Sequence, residues 1–81
     1  MHNLQTSAWD RASMTLIENV AKMPIGQEQK ISKIIGVEHW TPLQFKTRHR
    51  FGKHVRANLE HYGLVFVRKA GTIAVYKKSS I

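Results

Sequence analysis

Apolar periodicity changes once along this chain, at Gly63, and that change restricts the fold more than any other feature. Before it, positions Leu43, Thr47, Phe51, Val55, Leu59 and Tyr62 step by four and finally by three, which is one face of an α-helix. After it, "LVFVRK" (64–69) and "TIAVYKK" (72–78) are rich in β-branched and aromatic residues with a period of two, and "AG" (70–71) separates them. The pattern predicts a β-hairpin whose tight turn is Ala70–Gly71, with Gly71 at positive φ, Phe66 facing Val75 and Val65 facing Tyr76. A lone hairpin is marginal in water, so one of its faces must lie on the helices.

Two further helices are expected upstream. Trp9, Ala12, Leu16, Val20 and Met23 recur at helical spacing, so the first helix is predicted over 7–22, with Ser7 as N-cap and Pro24 beyond its end. A second is predicted over 27–35, burying Ile31, Ile34 and Ile35, with Gly36 as a left-handed cap. "VEHW" (37–40) reads as a turn. Thr41 and Pro42 suit the N-cap and first position of the third helix, and Gly63 its end. Gly52 is the weak point of that helix, costing roughly 1 kcal/mol relative to alanine, and is expected to bend it, split it or admit a close neighbour. The expected architecture is α+β and mainly α: three helices and a C-terminal β-hairpin over residues 7–78, between a flexible tail at 1–6 and a short one at 79–81. The N-terminal "MHNLQT" reads as a loose tail or a support for dimer contacts.

With 81 residues the chain implies one domain with a small core. Hydrophobic content of 42% sets it apart from disordered chains. It has no cysteine, which excludes disulfides, cysteine-bound zinc and a thiol nucleophile. "MHNLQTSAW" lacks a basic segment followed by an apolar run, so no signal peptide is expected, and "LVFV" is far too short to span a membrane. The expected location is therefore cytoplasmic.

The net charge of +8 is unevenly placed. Residues 1–41 hold four cations (Arg11, Lys22, Lys30, Lys33) and four acids (Asp10, Glu18, Glu28, Glu38); residues 42–81 hold nine cations and only Glu60. Segregation of this kind points to a polyanionic partner, nucleic acid before an acidic protein or a membrane surface. Read at about 100° per residue from Leu43, the residues Phe51, Val55, Tyr62 and Leu59 fall within about 80–160°, while Arg56, His49, Glu60, Lys53, Lys46 and Arg50 fall within about 220–340°. Arg48 breaks the rule by landing on the apolar side. It is tolerable there only if the helix projects from the body or breaks near Gly52.

A helix whose first turns project can enter a DNA major groove. Arginine and lysine bind phosphates or guanine edges, and glutamine pairs with adenine. Thr41, Gln44, Lys46, Thr47, Arg48, His49 and Arg50 are the candidates near the helix start; Lys53 and Arg56 are better placed for phosphates. Arg68, Lys69 and Thr72 flank the hairpin turn and add a second contact. The alternatives are a solvated basic face and, for the hairpin, lysines that deter edge-to-edge aggregation.

The stretches "KISKIIGVEHWTPLQFK" and "VRANLEHYGLVFVRKAGTIAVYKK" resemble winged helix-turn-helix DNA-binding domains. The resemblance covers about residues 10–78 and is most specific in "VRANLEHYGLVFVRK" (55–69). It implies a third helix in the major groove, carried here by Thr41 to Arg56, and a wing on the backbone or minor groove, carried by Arg68 to Thr72. About 18 residues separate Gly36 from Val55, more than a compact helix-turn-helix usually needs, so the third helix is unusually long or contains a loop.

Five histidines raise a metal site, but no HExxH or Cys/His spacing exists. There is no phosphate loop, nucleophile motif or paired catalytic carboxylates, so neither an enzyme nor a cofactor is expected, and no small-molecule ligand is evident. The expected function is a double-stranded DNA-binding transcriptional regulator of repressor type, nucleoid-associated when bound, and a homodimer if its target is palindromic. The alternative is a protein-interaction module using the same basic face for an acidic partner.

Overall fold

β3 (Ile73–Lys78) lies in the middle of a three-stranded antiparallel sheet, flanked by β1 (Glu28–Lys30) and β2 (Leu64–Ala70). Five helical segments complete the described residues: α1 (Leu4–Lys22), α2 (Ile31–Ile35), α3 (Val37–Trp40), α4 (Phe45–Ala57) and α5 (Leu59–Tyr62). The structure, a computed structural model, describes residues 4–79. The fold is α+β and mainly helical.

α1 buries Ala12, Leu16 and Val20, with Trp9 and Met23 half-buried beside them. It starts at Leu4, so Ser7 lies inside the helix and not at its cap, and residues 4–6 are helical where a loose tail was expected. The rest of that tail, residues 1–3, lies outside the described residues, as do 80 and 81. Ser79 is tied to the body by its N–H, which donates to the Gly63 carbonyl at 2.8 Å. At the other end of α1, the Lys78 ammonium donates to the Ala21 carbonyl at 3.0 Å, placing a cation where helix carbonyls are otherwise unpaired.

The expected helix over 27–35 is only half helical. Residues 28–30 form β1, pairing Glu28 with Lys77, Gln29 with Tyr76 and Lys30 with Val75. The buried stripe of that segment begins only at Ile31, so nothing apolar holds 28–30 in a helix, whereas the edge of β3 offers it backbone partners and opposite charge. Gly36 has positive φ but is not left-handed helical: at φ 91° and ψ 158° it turns the chain between two helices. "VEHW", expected as a turn, is one turn of helix.

The expected long third helix is in fact two helices, α4 and α5, and its first four positions, 41–44, are not helical. Thr41 closes α3 instead of opening the next helix, its N–H bonded to the Val37 carbonyl at 3.0 Å. Pro42, with no N–H, cannot extend that ladder. Leu43 is nevertheless fully buried in the connection, and Gln44 is the residue before α4. Gly52 does not interrupt α4; the break falls at Asn58 (φ −129°, ψ 39°). There the Asn58 side-chain amide donates to the His54 carbonyl at 2.8 Å, the local competition with the helix ladder that asparagine favours.

The hairpin register also differs from expectation. The turn residues are Gly71 and Thr72, between the paired Ala70 and Ile73, and Gly71 (φ 68°) stands where type II′ hairpins place glycine. A bulge between Phe66 and Arg68 then shifts the register back by one, so Phe66 faces Tyr76 and Val65 faces Lys77.

The core centres on Phe51. Trp9 from α1 meets its ring edge-on at 5.0 Å, and Trp40 from α3 does so at 6.4 Å. Ile31, Ile34, Ile35, Val55, Tyr62, Leu64 and Tyr76 close around this centre.

Candidate nucleic-acid interface

Lys46, Arg50 and Lys53 follow one another by four and three along α4, so they share one face of it. All three are exposed, as is His49 beside them. That face is outward because the opposite one supplies Phe51 and Val55 to the core. Across from it stands the hairpin, with Lys69 and Thr72 exposed at its tip. Between helix and hairpin runs a groove of about 590 Å³. Arg48, His49, Lys53 and Arg56 line it from the helix, Lys69 and Thr72 from the hairpin. Half of the residues singled out in the sequence thus meet in one concavity. Its lining holds four cations and no acid, and its apolar part is formed by Ile31, Trp40, Ile73, Ala74 and Tyr76 among others.

Thr41, Gln44, Lys46, Thr47, Arg50 and Arg68 are not in the groove lining. Lys46 and Arg50 lie on the outer helix face. Thr41 and Gln44 are exposed in the connection before α4, and Thr47 is half-buried. Arg68 forms an ion pair with Glu28 across the sheet, so its charge is locally offset.

Two arginines have partners the sequence did not reveal. Arg48 sits on the apolar side of α4 although the helix neither projects nor breaks there. Its guanidinium lies 5.6 Å from the Trp40 ring centre, and Nη2 donates to the Thr41 carbonyl at 3.3 Å. Its Nε is buried and has no hydrogen-bond partner among the described residues. Stacking on an indole lets an arginine stay half-buried without a carboxylate; Arg48 thereby ties α3 to α4. Arg56 lies 3.7 Å over the Phe66 ring and couples the end of α4 to β2. Burial raises the Tyr76 hydroxyl above the ordinary tyrosine range, and the positive charge of Arg56 partly offsets this.

Gly52 lies in the groove wall. A Cβ added there would meet nothing within 4 Å, so no packing inside the molecule demands glycine at this helical position. Phe45, unremarked in the sequence, is 74% exposed at the first position of α4. The signal was present: counted from Leu43 it falls at about 200°, off the apolar arc and beside the basic one.

His54 has a structural setting. Its Nε2 is 2.9 Å from the Tyr62 hydroxyl, which lies 2.7 Å from Ser13 Oγ, and its ring packs near Trp9 and Phe51. Among the described residues no three of His, Asp or Glu are placed to share a metal ion.

No protein-family model, curated protein or solved structure matches this chain. No helix among the described residues is long and apolar enough to cross a membrane.

Proposed function

We propose that this protein binds double-stranded DNA as a small transcriptional regulator of the winged-helix kind. The observation that carries the reading is the acid-free, four-cation groove between an exposed basic helix and a hairpin tip. The major groove admits an α-helix; with α4 seated there, the neighbouring sugar–phosphate strand would run along the concavity and the hairpin would reach beyond it. The order helix, strand, four helical segments, hairpin, with the early strand paired to the hairpin, supports the winged-helix reading. His49, Lys53, Lys69 and Thr72 are the phosphate contacts in this arrangement. Arg50 and Lys46 are the base-reading candidates, and Phe45 is placed for a thymine methyl. Arg48 acts through the position of α4, since Trp40 and Thr41 already engage it.

Labelled random duplex titrated across a salt series tests the proposal. The four phosphate contacts of this arrangement, two of them lysines, give a slope of log K against log salt of about −2 to −4. Absence of binding at the lowest salt would remove it, and selection from a random duplex library would then be pointless. The apolar floor of the groove favours a second reading, an interaction module for an acidic, amphipathic protein segment; that reading predicts no duplex binding under the same conditions.

Gly52 supplies a sharper check. Gly52→Ala is expected to stabilise the free protein by about 1 kcal/mol, a rise of about 4–8 °C in melting temperature. It is also expected to weaken duplex binding, because the added methyl occupies groove space that a phosphate strand would approach. Higher stability with unchanged affinity would show that nothing comes close to α4 at that point.

A further inference from the structure

The groove between α4 and the hairpin is more apolar than a phosphate strand requires. Ile31, Trp40, Ile73 and Ala74 line its floor, whereas a nucleic-acid backbone is held by charge. Its volume of about 590 Å³ is that of a small-molecule site, and such sites are mostly apolar with a few placed polar groups. We propose that the groove binds a small amphipathic carboxylate, a charged head on an apolar body, and that this ligand competes with duplex DNA. Binding of the carboxylate stands without the nucleic-acid reading; only the competition rests on it.

Three observations select that occupant. First, the lining holds four cations and no acid, so the head group is an anion. Second, the cations are not equivalent. Arg48 and Arg56 are already stacked on Trp40 and Phe66. Lys53 on the helix and Lys69 on the hairpin have no ion-pair partner among the described residues. These two hold the carboxylate from either wall, with the Thr72 hydroxyl as a further donor. Third, Gly52 stands in the same wall. A glycine inside a helix costs stability relative to alanine, and no contact within the molecule requires one here. Its missing side chain leaves room for the apolar body, which then lies between the α4 backbone and the carbon surface of Ile31, Trp40 and Ile73.

An amide-resolved NMR titration with decanoate, kept below its micelle concentration, decides the matter. Shifts are expected to centre on Gly52, the Trp40 indole and Ile73. Affinity should rise roughly fourfold per methylene from hexanoate to decanoate, as burial of one such group dictates. Acetate and decyltrimethylammonium should leave the same signals unmoved. Gly52→Leu should keep its melting temperature, because a Cβ there meets nothing within 4 Å. It should bind decanoate roughly tenfold or more weakly, since its side chain takes the place of the ligand's body. Decanoate should lower duplex affinity in proportion to its occupancy; binding in the groove without displacement would keep the site and overturn the competition. Affinity indifferent to chain length, equal binding of the cationic analogue, or shifts away from the groove would overturn the proposal. So would duplex DNA or an acidic peptide that moves these signals when decanoate does not, which would give the groove to a macromolecule.

Discussion

Phe51→Ala is expected to remove about 3–5 kcal/mol of stability. Phe51 is fully buried and is the one ring that touches Trp9 from α1, Trp40 from α3 and, through its own helix, the groove wall. Its loss leaves two edge-on aromatic contacts unmade, each worth about 0.5–1.5 kcal/mol beyond simple burial. A domain of this length holds only about 4–12 kcal/mol in total, so the variant should melt about 15–30 °C lower or be unfolded at room temperature. Denaturation followed by tryptophan fluorescence reports directly on the two partners of the missing ring. A change below about 1 kcal/mol would mean that the three helices are not joined through this residue.

Replacing Lys53 and Lys69 together by alanine should have the largest effect on DNA binding. The two cations stand on opposite walls of the groove and neither has an ion-pair partner among the described residues. Losing two phosphate contacts lowers the magnitude of the salt slope by about 2, and at moderate salt roughly a tenfold loss of affinity should fall equally on all sequences. Arg68→Ala makes the comparison informative. It lies next to Lys69 in sequence, but Glu28 already offsets its charge, so its removal should matter less than removal of Lys69 alone. Equal effects of Arg68→Ala and Lys69→Ala would indicate a response to net charge and not to the groove.

The elements legible in the sequence are those whose evidence is local. The apolar stripe of α1 and the change of period at Gly63 each lie within one short window, and both correspond to real elements. β1 was illegible because the reason for it lies at Val75 to Lys77, more than forty residues away. Tyr62 is in the core, as its helical angle predicts, although the helix expected to carry it breaks before reaching it; burial is readable where continuity is not. The hairpin register departs first at the turn, which falls at Gly71–Thr72 and not at Ala70–Gly71, and a bulge at Val67, which leaves no mark in a run of apolar residues, returns one of the two residues of offset. For the site, helical angle separated Lys46, Arg50 and Lys53 from Phe51 and Val55 correctly. It also marked Arg48 as anomalous, and the cause proved to be an indole from another helix, which periodicity along one segment cannot supply.

The central place of β3 sets an order of events. During synthesis β1 and β2 both leave the ribosome before the strand that joins them. Each must wait with its backbone groups bonded to water, and the sheet can form only once Ile73 to Lys78 has emerged. A nascent chain of this protein therefore gains its three-stranded sheet all at once, so neither the groove nor anything that depends on it exists until β3 has paired.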